Sequence, residues 1–430
     1  MFLRICLLFA VFTLSDRLSA QTELFNDSTL SVDGQIPAFG DPLPPFESLN
    51  QGGDVLEIPT PNFLSDGALR QLGSSSRSRS LTSSRFSPTQ DLISRFSSIN
   101  ARRRLQPQMF SDSPSAPLTV VVNDGLIATS DLSLGAGARR LKVAANNRAL
   151  PQDRIIFTYQ VYFDALTADA SRFRVLPDTK TIDLHQYTLS FEKTFADGLA
   201  SIDIRMPFAN QLALDTPNFG SEGGRIGNLN GKLKFLFLSN EDFALSGGIG
   251  LDIPTGSDFA FQGNGLQYRV SNDAFFVQPF LAYEERFDQW FVNVFSSLDV
   301  ALNGNTFRRD QVARSADGKI NDQTLLILSA GAGRWVWTTP GSTLLDGVAI
   351  VSELHYTTTL QDSDSVADSF FIQNVSVSNL SNRSDHLNFT VGSHLAFGLS
   401  SLRFGYVQPL RGGDDRVFDS ELSVQFNRVF

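Results

Sequence analysis

From Arg154 to the last residue the chain alternates apolar with small polar residues in segments of about ten, separated by turn-forming residues. A period of two is the mark of a strand with one apolar and one polar face. Twelve such segments can be marked: 154–164, 184–195, 199–209, 227–239, 243–254, 274–284, 289–302, 324–337, 347–360, 386–397, 401–409 and 417–430. Their connections alternate in length. The stretches 196–198, 240–242, 285–288, 338–346 and 398–400 are short and mostly carry Gly, Asp or Asn turn chemistry. Between them fall long excursions at 165–183, 210–226, 255–273, 303–323 and 361–385, and a shorter one at 410–416. The stretch 370–377 is also strand-like; it is assigned to a hairpin-like outer loop, which keeps the strand number even. The expected fold is all-β: an antiparallel up-and-down transmembrane β-barrel of about 12 strands at 151–430, preceded by a disordered amino-terminal region.

Large aromatics sort by height on this plan. Trp290, Trp335 and Trp337 fall at the short-turn edge, and Tyr187, Tyr356 and Tyr406 toward the opposite rim, as expected of two interfacial girdles.

The amino-terminal region has a different texture. Residues 1–20 read as a cleaved secretory signal: Arg4, an apolar run over 5–13, and Leu18-Ser19-Ala20 before Gln21. That run is far shorter than the ~20 residues of a spanning helix. The single cysteine, Cys6, lies inside it, so the mature chain is expected to have no disulfide and no thiolate metal site. Residues 21–150 read as a low-complexity periplasmic linker or plug, with Pro-Leu-Pro-Pro at 42–45 and the tract Ser74-Ser-Ser-Arg-Ser-Arg-Ser80. Charge is segregated there. Glu23 to Asp66 contains no Lys or Arg, whereas Arg77, Arg79, Arg85, Arg95, Arg102 and Arg103 crowd the next stretch. The segments 118–122 and 132–143 suit short strands or a periplasmic collar.

Net charge of −10 argues against a nucleic-acid partner. Parity within the strands sets which side chains face a lumen. It selects Glu192, Asp203, Arg205, Lys232, Lys234, Asp252, Glu284, Asn293, Asp299, Glu353, His355, His394 and Arg403 as pore-lining. Lipid exposure of a Lys or Arg at mid-depth costs ~2–4 kcal/mol, which enforces that parity. Arg205, Lys232 and Lys234 cluster on one side, with Arg403 expected nearby, and Asp252, Glu284, Asp299 and Glu353 line the wall from strand five to nine. Such sectors either set up a transverse, ion-filtering field or simply supply the polar wall any lumen needs.

No catalytic residues, metal or cofactor are expected. No G-x-S-x-G, H-E-x-x-H or phosphate-loop pattern occurs. Ser393 adjoins His394 but points to the other face, and His185, His355, His386 and His394 are accounted for as polar barrel residues. The acidic outer positions Asp362, Asp364, Asp368, Asp414 and Asp415 suit either divalent cations that bridge lipopolysaccharide or, more commonly, solvated charge at loop tips; none has calcium-loop spacing.

The hairpin Tyr187-Thr-Leu-Ser-Phe-Glu-Lys-Thr-Phe-Ala-Asp-Gly-Leu-Ala-Ser-Ile-Asp-Ile-Arg-Met-Pro-Phe208, preceded by Pro151-Gln-Asp-Arg-Ile-Ile-Phe157, resembles the early hairpins of porin-like bacterial outer-membrane barrel proteins. The ending, with Leu422, Val424, Phe426 and Phe430 on one parity, is similar to the closing strand of such barrels, in which the terminal aromatic is the assembly signal. The resemblance implies an outer-membrane barrel that meets lipid, lipopolysaccharide and the barrel-assembly machinery, with a transport role and no named substrate. Passive diffusion of small polar solutes or ions is the expected work. The alternative is a plugged structural or surface-binding barrel, and homo-oligomer formation stays open.

Overall fold

The computed structural model describes residues 107–110, 118–122, 125–130, 144–169, 179–209, 213–216, 219–222, 226–263, 266–310, 317–339, 345–370, 373–378 and 382–430, all within the compact unit Ser87–Phe430. The expected signal, the Pro-rich and Ser/Arg-rich stretches and the segment 132–143 lie outside the described residues.

Among the described residues, twelve strands close into one antiparallel ring. They are β1 (Arg154–Asp169), β2 (Thr179–Phe195), β3 (Ala200–Ala209), β4 (Leu229–Ser239), β5 (Phe243–Ile253) and β6 (Phe276–Phe287). The second half comprises β7 (Trp290–Ala301), β8 (Leu325–Thr338), β9 (Gly347–Thr359), β10 (Asp385–Phe397), β11 (Ser400–Pro409) and β12 (Ser420–Val429). Each pairs with its sequence neighbour, and β12 returns to β1 from Ser420↔Phe163 to Val429↔Arg154, so no barrel strand has a free edge. Closure matters because backbone groups in lipid have no water to bond.

All twelve expected segments are strands, with ends shifted by a few residues. The first hairpin runs further than expected, to Asp169 and from Thr179. A register shift between Tyr162 and Leu166, with Asp164 at φ 53°, interrupts the alternation where the sequence pattern fades.

One face of every strand points outward and is greasy. Leu189, Phe191, Ile202, Ile204, Phe237, Ile249, Leu251, Leu281, Ile350 and Phe404 are 41–55% exposed. A continuous apolar belt of this kind does not occur on soluble monomers and suits a hydrocarbon surround. The opposite face carries the buried polar and charged residues.

The long-loop end is built up rather than loose. Hairpins in three successive excursions, 213–222, 259–270 and 305–320, pair into a six-stranded sheet. Phe261 stacks on Tyr268, which stacks on Phe307, with ring centres 5.2 and 5.6 Å apart. Strand Ser365–Phe370 pairs with Gln373–Ser378, the hairpin expected around 370–377.

The amino-terminal pieces correct one expectation. Leu118–Val122 is a strand, but not part of a periplasmic collar. It pairs with Gln373–Ser378 and with Gly125–Ser130, which in turn meets Leu166 and Thr167 at the loop end of β1. Residues 107–110 and 144–150 lie instead inside the ring and are buried.

Candidate functional site

The inside of the barrel is filled by two pieces of the chain that precedes it. They touch each other through a backbone hydrogen bond from Asn146 N to Met109 O (3.0 Å). Each is seated on a different sector of the wall.

The segment 144–150 lies against β1–β4 and β6. Glu192 is the hub of that wall. It accepts from Arg154 Nε (2.5 Å), Lys234 Nζ (2.9 Å) and Ser201 Oγ (2.7 Å). Beside it Arg205 pairs with Asp203 (2.5 Å). Both arginines reach inward: Arg154 Nη2 donates to Asn146 O (2.9 Å), and Arg205 donates to Ala145 O (2.6 Å) and Asn147 Oδ1 (3.2 Å). Lys232 also meets Asn147 Oδ1 (3.5 Å). From the segment itself Arg148 faces Glu284 at 3.6 Å and donates to Gln152 (2.7 Å). The trio Arg205, Lys232 and Lys234 is therefore interleaved with Glu192 and Asp203, not a bare positive sector. Arg403 stands apart from it, on β11.

An apolar patch of the wall holds the middle of the filling. Met109, Ala144, Ala149 and Leu150 pack with Ala244, Phe280, Ala282, Phe295, Leu325 and Ile327. Inward-facing apolar residues on β5–β8 would be poor lining for bare water, and the filling covers them.

The segment 107–110 is clamped from the other side. Phe110 N donates to Glu353 Oε2 (2.7 Å), and Gln425 Nε2 donates to Phe110 O (3.2 Å). Arg403 donates to the carbonyls of Gln108 and Met109, and to Gln425 Oε1 (2.9 Å). Asn293 Nδ2 donates to Pro107 O (3.2 Å). The Phe110 ring lies 3.9 Å beneath the Arg403 guanidinium. Its seat is made by absent side chains. Gly392 and Gly405 are cross-strand partners on β10 and β11, and a Cβ at either would come within 2.8 Å or less of the ring. The notch therefore exists only with glycine at both positions.

All thirteen residues selected by parity are buried on the inward face. Arg205, Lys232 and Glu284 reach 144–150 directly, while Glu192 does so through Arg154. Asn293, Glu353 and Arg403 hold 107–110. Asp299 belongs to another group, where Asn230 donates to Gln278 (3.1 Å) and Gln278 to Asp299 (3.2 Å), and Asp252 is the cross-strand partner of Asn230. His394 sets its ring edge-on to Trp335 at 5.5 Å.

That contact corrects the girdle. Trp335 is buried with Phe110, Phe291, Ala349, Val351 and Ala396, inside the barrel. It shares parity with Ser329, Gly331 and Gly333 on β8; Gly347 leaves it room, as Gly333 does for the neighbouring Phe291. A register shift between Trp335 and Trp337 then turns Trp337 outward, where it is 43% exposed. Trp290, Tyr187 and Tyr406 are exposed on the outer face, and Tyr356 is partly buried with its hydroxyl donating to Asp385 (3.1 Å).

The sequence reading missed three things. Arg154 opens β1 on the inward parity and was findable. Phe110 and the run Asn146-Asn147-Arg148 lay in a stretch without periodicity. Ser329 was hidden by distance along the chain: it is the cross-strand partner of His355, whose ring nitrogens lie 2.9 Å from Ser329 Oγ and 3.0 Å from Glu353 Oε2. These are hydrolase residue types, but Glu353 is already engaged by Phe110 N.

Among the described residues no group of His, Cys, Asp or Glu is set to hold a metal. Of the acidic loop residues, Asp362 pairs with Arg383 (2.8 Å), Asp415 with Arg411 (3.3 Å) and buried Asp368 with Arg309 (2.6 Å).

No family model matches this sequence, and no curated protein matches it. Solved structures do. An outer membrane channel from Pseudomonas putida F1 is 14% identical with a TM-score of 0.41, over 65% of this chain and 96% of that one. The translocator domain of autotransporter NalP from Neisseria meningitidis is 12% identical with a TM-score of 0.41, over 65% and 88%. The Pseudomonas putida toluene transporter TodX is 9% identical with a TM-score of 0.37, over 75% and 98%. Likenesses this distant allow no residue-by-residue transfer. The architecture expected from the porin-like resemblance is met by the closed ring itself.

Proposed function

We propose that this protein is an outer-membrane β-barrel channel for small polar solutes or ions, shut at rest by its own residues 107–110 and 144–150. One observation carries the reading: at both ends the filling is attached to the wall by hydrogen bonds and ion pairs. Water or a polar solute can replace such contacts, unlike a lumen packed solid by its own wall side chains. The greasy belt and the short turns at one end support a lipid-embedded barrel with those turns in the periplasm. The full burial of both segments favours a second reading, a permanently plugged barrel that acts as an anchor or binding surface.

A disulfide lock separates the two. A Cβ at Gly405 lies 3.1 Å from Phe110 Cγ, so Phe110→Cys with Gly405→Cys brings two thiols within bridging reach. In planar bilayers the oxidised full-length variant should be silent, and the reduced form, left with neither the Phe110 ring that seats the filling nor a tether, should conduct. Silence in both states supports the plugged anchor; equal conduction in both refutes the gate. The same reading assigns no catalysis to Ser329, His355 and Glu353. Ester turnover that Ser329→Ala abolishes would overturn that assignment.

A further inference from the structure

We propose that the Phe110 seat is the channel's solute-recognition site, and that its ligand is a free amino acid, or the amino-terminal residue of a short peptide, with an aromatic side chain. The inference rests on the channel reading above and deepens it.

Four wall groups define the ligand. The Gly392–Gly405 notch admits a flat ring and would be closed by a single methyl at either position. Arg403 covers the ring's face at 3.9 Å, a contact that rewards a π-system over an aliphatic chain. Glu353 Oε2 takes the N–H of Phe110 at 2.7 Å. Arg403 and Gln425 hold carbonyl oxygens of Gln108, Met109 and Phe110. The barrel thus already binds a phenylalanine, by its nitrogen, its carbonyl oxygen and its ring.

A free aromatic amino acid makes the same three contacts with better chemistry. Its ammonium meets Glu353 as a charge-assisted bond, where Phe110 offers a neutral amide. Its carboxylate takes the position of Phe110 O at Gln425 Nε2, beside the Arg403 guanidinium that release of the Gln108 and Met109 carbonyls sets free. Two further polar atoms stand ready beside the notch. Arg403 Nε and Ser423 Oγ are buried without a hydrogen-bond partner among the described residues, and Ser423 is the cross-strand neighbour of Gly405. Phe110 is therefore a tethered competitor, and the solute's entry and the filling's release are one exchange.

Trp335, which shares a cluster with Phe110, supplies the readout. Full-length protein with Trp290→Phe and Trp337→Phe is folded in detergent, checked by its heat-shifted gel mobility, and titrated with L-phenylalanine and with L-leucine. The expected result is a Trp335 response at least tenfold more sensitive to L-phenylalanine. Phe110→Ala should tighten L-phenylalanine binding by about tenfold or more, because the competing state is removed. Gly405→Ala should abolish binding, while Gly412→Ala, at an open loop position, should not. Equal responses to the two amino acids, or no tightening in Phe110→Ala, would overturn the proposal. Conductance separates the failures. A Phe110→Ala pore that conducts ions without aromatic preference rejects this site and keeps the channel; selective binding with no conductance in any variant rejects the channel and keeps the site.

Discussion

Replacing Glu192 by Gln should be among the most damaging single changes in the barrel. The carboxylate is fully buried, as is Arg154, and Lys234 is only 3% exposed in its side chain. Glu192→Gln keeps the shape and removes the charge that both cations share. Two charge-assisted hydrogen bonds at ~1.5–3 kcal/mol each, and a weakened one from Ser201, put the gross loss near 4–7 kcal/mol. Arg154 retains Asn146 O, which offsets part of this. A net cost of about 3–5 kcal/mol is expected, in line with other buried pairs that lose one partner. Guanidinium unfolding of the full-length protein in detergent, followed by gel mobility, measures it. Adding Lys234→Met to Glu192→Gln removes one orphaned cation and should restore about half. A single-variant cost below about 1 kcal/mol would refute the reasoning, since the lumen would then be wet enough to solvate both cations.

Three other outcomes are expected. Tyr268, in the loop-end sheet, is pushed up to about 12 by burial and then by the nearby Asp368. The sheet should therefore keep its full stability below pH ~10, the ordinary tyrosine value, and lose it as pH rises toward 12; absorbance at alkaline pH should lose its latest tyrosinate step in Tyr268→Phe. Lipids carrying a quencher near the headgroups should dim Trp290 and Trp337 but spare Trp335; equal quenching of all three would restore the girdle assignment. Deleting the Phe430 ring, which stacks on Phe191 at 5.9 Å and sits 5.5 Å from Lys193, should slow barrel assembly more than it lowers the stability of the assembled form. Pulse-chase gel mobility of Phe430→Ala checks this.

The barrel was legible because a closed wall between lipid and a polar interior imposes period two on every strand, and loop lengths fix the strand directions. The parity that put Arg205, Lys232 and Lys234 inward is the same constraint. Trp335 was misplaced because height along the strand was used without parity, and parity alone would have failed at Trp337, where the register shifts. The apolar sector formed by Phe280, Phe295, Leu325 and Ile327 carried no readable signal: inward apolar residues make sense only once Met109 and Leu150 are known to cover them. For the same reason the filling itself was invisible. Pro107–Phe110 has no periodicity, and its meaning lies in Glu353 and Arg403, more than 240 residues away.

The hairpin of 118–130 at the loop end, with buried chain on either side of it, constrains how the molecule can be made. A closed ring cannot readily take in residues 107–110 and 144–150 once Leu118–Val122, between them in sequence, is paired at its loop end. The seam from Ser420↔Phe163 to Val429↔Arg154 should therefore zip last, around a filling laid in place beforehand. Bridging of the Phe110→Cys, Gly405→Cys pair should then be detectable no later than the first heat-resistant band.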